Sequence, residues 1–290
     1  MWAAPLSEYG RIRRVVLRRP AESFVGQKHL DGQWQRLNYT GRPDYAGAQS
    51  QYDRLVSILK EQGSEIDFLP ADPALTIDSI YVRDATIVGP LGLILCNMGK
   101  AERRGEPAVA ETAFRKLGLP VAGRIEGEGM VEGGDMVWFD DRTLAVGHTY
   151  RTNDEGIRQL GKLVGPDVEV VVADMPHYRG RADVFHLMSV LSPIDRDLAL
   201  VYSPLMPIRF RDWLIGRGIK LVEVPDSEFD SMGCNVLAIA PRRCLMLQGN
   251  PKTAAALRDA GAEVVEIAGS DISEKGQGGP TCLTRPILRG

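Results

Sequence analysis

The chain has 290 residues, 44% of them hydrophobic and 25% charged, with 35 Lys+Arg against 38 Asp+Glu for a formal net charge of −3. Such a composition excludes disorder, collagen and coiled coil, and the length suffices to bury a sizeable core. Without a basic excess, broad binding to nucleic acid or to a membrane surface is not expected. The longest apolar runs, such as Leu91–Cys96 and Val170–Ala173, fall far short of the roughly 20 residues that a spanning helix needs. Met1–Arg14 has no apolar segment of the kind a secretion signal carries. The four cysteines (Cys96, Cys234, Cys244, Cys282) lack Cys-x-x-Cys spacing, so neither a zinc ribbon nor a disulfide scaffold is expected. The composition predicts a reduced, cytoplasmic protein, and no stretch reads as a linker, so residues 1–290 are expected to form one domain.

In chain order, the glycines punctuate a repeat. Gly63, Gly118, Gly165, Gly218 and Gly261 each close a helical stretch and precede a β-branched run. In the first copy Tyr52, Leu55, Val56 and Leu59 form one apolar stripe on a 3.6-residue period. Ala110, Ala113, Phe114 and Leu117 repeat the stripe after Pro107, and later copies start at Asn153, near Pro207 and at Asn250-Pro251. Strand-like runs follow the glycines at 66–69, 121–125, 168–173, 221–224 and 264–267.

Hairpin-like pairs of apolar runs precede the later helices. Residues 86–88 pair with 93–96, 136–139 with 143–146, 187–191 with 198–202, and 236–239 with 244–247. The fifth pair joins 282–288 to the N-terminal strand 15–17. The predicted fold is α/β: a five-fold pseudosymmetric propeller of strand–strand–helix–strand units, without free edges and closed by its termini. An ordinary α/β sheet with accidental spacing is the alternative.

Chemistry-bearing residues occupy equivalent places on this repeat. Asp84, Asp135, His186, Asn235 and Cys282 each stand at the start of a hairpin, separated by 51, 51, 49 and 47 residues. In a radial fold such positions converge, bringing a thiol, an imidazole and carboxylates into one cavity, as nucleophilic cysteine catalysis requires. Cys282 follows the glycine-rich run Gly276-Gln277-Gly278-Gly279-Pro280-Thr281, where the backbone can approach a ligand closely. A free cysteine otherwise ends as a small buried hydrophobe, the reading given to Cys96, Cys234 and Cys244. His29, His148 and His177 lie in polar, turn-like contexts and read as surface.

Glu132-Gly133-Gly134-Asp135 sets two carboxylates at the start of a strand. Asp78 and Asp84, six apart, would share one face of an extended chain. Several acids around one thiol and one imidazole imply a cationic substrate. Carboxylates raise a thiol's pKa, so the thiolate would form only when a positive group binds. A planar guanidinium accepts such bidentate contacts and presents an electrophilic carbon to sulfur.

At these residues the sequence resembles the guanidino-group-modifying superfamily, the pentein fold of arginine deiminases, amidinotransferases and dimethylarginine dimethylaminohydrolases. The likeness spans roughly Arg11 to Arg289 and rests on Asp78-x5-Asp84, Glu132-Gly-Gly-Asp135, Arg151-Thr-Asn153, His186-Leu187 and Gly278-Gly-Pro-Thr-Cys282. It implies Cys282 as nucleophile, His186 as general acid/base and Glu132 as partner of His186 or of the guanidinium. Asp84 would clamp the guanidinium, with Asp78 a second substrate-side acid. Arg103 and Arg151 match arginines that grip an amino-acid carboxylate, and Arg83, Asp135 and Gly276 are also placed at the substrate.

Two departures bear on the substrate. Met188 stands where deiminases and transferases carry a second Asp clamp, which favours N-alkylated guanidines. Arg83 stands where dimethylargininases carry an acid, which looks more like the deiminase pattern. The resemblance therefore implies hydrolysis of an N-methylated arginine to citrulline and an amine, with arginine deiminase or dihydrolase chemistry, or amidino transfer, as alternatives. A non-catalytic binding propeller is the alternative from another class. No metal or organic cofactor is expected. The expected partner is a small guanidino compound, and a homodimer is compatible with the resemblance. The segment 27–45, with Trp34, Tyr39 and Arg42, is a candidate cover for the substrate.

Overall fold

The computed structural model describes residues 6–290. It contains five separate three-stranded sheets, each with the same connectivity. Within a sheet the first two strands form an antiparallel hairpin, and a helix then returns the chain so that the third pairs parallel to the second. The second sheet is typical: Thr86–Gly89 pairs antiparallel with Gly92–Leu95, which pairs parallel with Val121–Arg124 after the helix Glu106–Lys116. The first sheet is assembled from both ends of the chain. Ile12–Leu17 lies between Arg285–Arg289, antiparallel, and Glu65–Phe68, parallel.

Burial grades across each sheet as the repeat requires. The opening strands Thr86–Gly89 and Leu237–Ala240 are wholly buried, whereas the third strands, such as Lys220–Glu223, are half exposed. The helices cover the sheets with the stripes expected from their spacing: Tyr52, Leu55, Val56 and Leu59 are buried, as are Ala110, Ala113 and Phe114. Truncating a fully buried side chain such as Leu55 to Ala costs about 2–5 kcal/mol in such a setting. Asp44 and Asn153 cap helix starts by accepting from Gly47 and Gly156 N–H. All five punctuating glycines have positive φ, from +69° to +92°, a left-handed turn in which a Cβ is strained.

The apolar core is divided among junctions between successive repeats. One cluster joins the second and third sheets, another the third and fourth, another the fourth and fifth, and another joins the fifth to the first. Among the described residues no continuous ladder runs between sheets. An isolated bridge, Asn97 to Val131, links two of them. The prediction of a structure without free edges is thus corrected: each sheet keeps its own edges, and neighbours are joined by side-chain packing.

The hairpin boundaries need a related correction, and it falls where the chemistry lies. Leu187–Ser189, Gly133–Asp135 and Ile77–Ile80 are short 3₁₀ turns, not strand or extended chain. Local hydrogen bonds outcompete the ladder there. Ser189 Oγ accepts the His186 N–H at 3.1 Å, and Gly133 N–H donates to Asp84 O at 2.8 Å. Likewise, Cys282 sits in a turn, and the strand begins at Arg285. Asp78 and Asp84 therefore do not share a strand face.

Candidate active site

These turns gather residues from all five repeats. Asp84, Glu132 and His186 bring one ligand-type atom each within 4.8 Å of one another, all three buried. His186 Nε2 is 2.9 Å from Glu132 Oε2. Glu132 Oε1 accepts the Lys100 N–H at 3.1 Å and Arg151 Nη1 at 3.3 Å. Asp84 Oδ2 accepts Arg103 Nη1 at 2.5 Å, while its Oδ1 is buried without a hydrogen-bond partner among the described residues. Gly134 makes the approach feasible: a Cβ there would stand 2.4 Å from His186 Nδ1 and 2.9 Å from Asp84 Oδ1.

Cys282 arrives on the glycine-rich turn. Gly276 and Gly278 press against Tyr81, where any Cβ would fall within 2.4 Å of its ring or hydroxyl. Asn235 Oδ1 accepts the Thr281 N–H at 3.2 Å, which turns its amide to donate to Cys282 Sγ at 3.3 Å. The thiol lies where two cavities meet. One is a cleft of ≈ 30 Å³, lined by Asp78, Asp84, Lys100, Arg103, Glu132, Arg151 and Gly276. The other is a chamber of ≈ 490 Å³ that includes His186, Met188, Tyr178, Phe185 and Phe229.

The electrostatics favour a protonated pair. Burial, reinforced by the charge of Asp84, pushes the Cys282 thiol up to about 11. For His186, burial opposes the charge, but Asp135, Glu132 and Asp84 outweigh it and raise the imidazole to about 9. Burial would raise Glu132 too, yet its contact with the His186 ring and the nearby Arg151 and Arg103 hold it well below the usual carboxylate range. Near neutral pH the unliganded site therefore holds a thiol, an imidazolium and a carboxylate.

Three residues expected at the substrate are engaged by groups of the protein itself. Asp135 lies behind His186: its Oδ1 accepts the Leu187 N–H at 2.9 Å, and its Oδ2 accepts the hydroxyls of Thr149 and Thr152. Its two oxygens are used in fixing the turn, and burial pushes it up to about 6. Arg83 does not line the cleft but borders the larger chamber, with Nε on Thr281 O at 2.8 Å and Nη1 3.2 Å from Glu8 Oε2 and 3.7 Å from Met188 Sδ. Arg103 reaches the cleft, but its guanidinium is engaged by Asp84, both oxygens of Glu106 and Tyr81 O. It is tied to carboxylates of the protein and serves as a brace for Asp84. Arg151, Asp78 and Gly276 do line the cleft.

Sequence reasoning overlooked two neighbours. Lys100 Nζ pairs with Asp78 Oδ2 at 2.7 Å. Asn235 was placed on the ring by its spacing yet given no task. Segment 27–45 folds partly as the helix Gln27–Asp31 and lends Leu37 and Asn38 to the cleft wall. Cys96, Cys234 and Cys244 are buried core residues, their thiols raised by burial. Asp84, Glu132 and His186, gathered as the resemblance implies, also have the spacing of a three-ligand metal site. Here Asp84 Oδ2 is committed to Arg103, and His186 Nε2 and Glu132 Oε2 to each other.

A thiol, an imidazole and acids drawn from five repeated sheets define the guanidino-group-modifying enzymes of the pentein superfamily, and this chain is one of them. The family model described as N,N dimethylarginine dimethylhydrolase, eukaryotic, matches residues 35–289. The chain belongs to that family. An N(G),N(G)-dimethylarginine dimethylaminohydrolase of Streptomyces coelicolor is 32% identical over 281 residues, covering 94% of this chain and 96% of that protein. The enzyme of that name from Pseudomonas aeruginosa is 27% identical over 276 residues, covering 94% and 98%. A structure of the Pseudomonas aeruginosa enzyme complexed with citrulline superposes with a TM-score of 0.71, 27% identity, and coverage of 97% and 100%. The N-terminal domain of a cyanobacterial arginine dihydrolase reaches a TM-score of 0.79 at 20% identity, covering 95% and 98%, a likeness of fold. The chain is accordingly a hydrolase of the class that acts on non-peptide C–N bonds of amidines.

Proposed function

We propose that this protein hydrolyses N-methylated arginine to citrulline and a methylamine through a covalent intermediate on Cys282. The observation that carries this reading is Asp84 Oδ1, a buried carboxylate oxygen without a donor in the cavity that Cys282 shares. An unsatisfied buried acceptor is costly, and a guanidinium N–H satisfies it. With the cation against Asp84 and Glu132, the charge that helps suppress the thiolate is neutralised and Cys282 releases its proton to solvent water. Sulfur attacks the central carbon, and His186 delivers its proton to the departing nitrogen, leaving an S-amidino enzyme. The neutral imidazole then takes a proton from the attacking water. Collapse expels the thiolate and frees the ureido product. A general acid/base of this kind contributes about 10²–10⁴ in rate.

The two cavities support a division of the substrate. Lys100 and Arg151 favour an amino-acid carboxylate in the cleft, and the chamber beside Met188 and Phe185 offers apolar room to N-methyl groups. At ≈ 30 Å³ the cleft is far smaller than a small-molecule pocket, so Leu37 and Asn38 would lift to admit the substrate tail. Because every repeat contributes a site residue, the chain is read as one catalytic domain with its five sheets set radially, as in a propeller. Among the described residues no helix is long and apolar enough to cross a membrane. Purified protein should convert asymmetric dimethylarginine to citrulline with stoichiometric dimethylamine, faster than it turns over arginine, agmatine or short guanidino acids. Preferential ammonia release from arginine would replace this reading with a deiminase.

A further inference from the structure

At Arg83-Asp84 the chain passes between two enclosed spaces, and the two side chains diverge. Asp84 faces the cleft. Arg83 borders the larger chamber and also contributes, with Glu8, Trp138, Arg285 and Arg289, to a separate cavity of ≈ 20 Å³. The three arginines are buried, at 0%, 4% and 5% exposure. One carboxylate of that lining meets them: Glu8 Oε2 is 3.2 Å from Arg83 Nη1 and 3.7 Å from Arg289 Nη2, the second beyond hydrogen-bond reach. Asp84 is near enough to be felt by Arg285, but it is already held by Arg103. The five residues that precede Leu6 carry no acidic side chain. Three guanidinium cations against one carboxylate leave an excess of positive charge where water is scarce, a costly state for unpaired ions.

Donors are also left over. Among the described residues Arg83 Nη2, Arg285 Nε and Arg289 Nη2 have no hydrogen-bond partner. Each guanidinium is also anchored on carbonyls, Arg83 Nε on Thr281 O, Arg285 Nη2 on Arg83 O, and Arg289 Nη1 on Gly10 O and Ala238 O, while Arg83 Nη1 meets Glu8 and Met188 Sδ. Gly133 admits this packing, since a Cβ there would lie 2.2 Å from Arg83 O and 2.6 Å from Arg285 Nη2. Burial, with Arg83's like charge, lowers Arg285 to about 9; at Arg289, burial leads and Arg83 adds to a fall to about 10. The cations are fixed in place and mutually repelled.

We propose that this cavity binds one small inorganic anion of the halide class, held by the spare N–H groups of Arg83, Arg285 and Arg289. Its volume admits a single guest of atomic size, too little for phosphate or an organic acid. A water molecule would accept the same hydrogen bonds but would leave the charge uncompensated. The anion would stabilise Arg83, whose Nε holds the carbonyl of the residue before Cys282. This inference is independent of the substrate assigned above.

The test uses the intact protein dialysed into sodium gluconate, with chloride or bromide then added at constant ionic strength. Halide should raise the melting temperature by about 2–5 °C with saturation. A crystal grown in bromide should show an anomalous peak within reach of Arg289 Nη2. Glu8→Gln removes the competing carboxylate, so the halide midpoint should fall at least ten-fold, whereas Arg289→Gln should abolish the saturable rise. Should Arg289→Gln not fold, the wild-type and Glu8→Gln titrations decide. A bromide crystal without the peak, or a halide midpoint that does not move in Glu8→Gln, overturns the proposal.

Discussion

The two sides of the segment at Arg83-Asp84 are electrostatic opposites built from adjacent residues. On one side, Asp78, Asp84 and Glu132 surround a thiol and an imidazole, and a carboxylate oxygen stands unsatisfied. On the other, Arg83, Arg285 and Arg289 surround Glu8, and guanidinium nitrogens stand unsatisfied. In the cleft each acid has a cationic partner, Lys100, Arg103 or Arg151, and what is missing is a donor to one oxygen, whereas the rear cavity is short of negative charge; both are expensive in a buried setting. The difference teaches that a buried polar group is most informative where its count of partners falls short. Asp135 makes the point from the same repeat position as Asp84: with every oxygen engaged, it positions the site without facing the ligand.

The sharpest break of this contrast comes from His186. His186→Asn should lower kcat/KM by about 10²–10⁴. In the wild type, His186 is active as the imidazolium and its pKa is raised to about 9. At saturating substrate, where Cys282 is already ionised, kcat should therefore fall as pH rises through about 9, whereas a limb near 6.5 would show that the surrounding acids do not hold its charge.

Next in size is the clamp. Asp84→Asn keeps the shape but removes the charge that meets the guanidinium. It should cost about 10² in kcat/KM, with melting temperature little changed. A variant with normal turnover would dissolve the distinction between this acid and Asp135. The smallest effect belongs to Asp135→Asn. Its charge is the largest of those raising His186, so the alkaline limb should move below 9. The lost acceptor for Leu187 N–H or the threonine hydroxyls should cost about 1–3 kcal/mol of stability. An unmoved limb would reduce Asp135 to a purely structural role.

Much of this was legible in the chain because the repeat is marked by residues with strict conformational demands. Gly63, Gly118, Gly165, Gly218 and Gly261 need positive φ, which located each helix end and each following strand. Equal spacing then pointed to Asp84, Asp135, His186, Asn235 and Cys282 as ring-forming positions. The finer assignments failed where local hydrogen bonding competes with periodicity. Ser189, Gly133 and Thr281 convert expected strand starts into turns, and a turn reverses which neighbour faces the ligand. For that reason Asp135 stands behind His186 and Arg83 borders the chamber but not the cleft. The engagement of Arg103 by Glu106, three residues away at the start of a helix, was not legible in the pattern. The rear cavity was invisible, since it needs Glu8, Arg83, Arg285 and Arg289 brought together from both ends of the chain.

The central claim is that burial, reinforced by the charge of Asp84, keeps Cys282 protonated until a guanidinium arrives. Thiolate absorbance near 240 nm, measured against pH as the difference between wild type and Cys282→Ser, tests it directly. The account predicts ionisation near pH 11 in the free enzyme and a marked downward shift when a guanidinium ligand is bound. A thiolate already present at pH 7 in the unliganded protein, unchanged by the ligand, would contradict it.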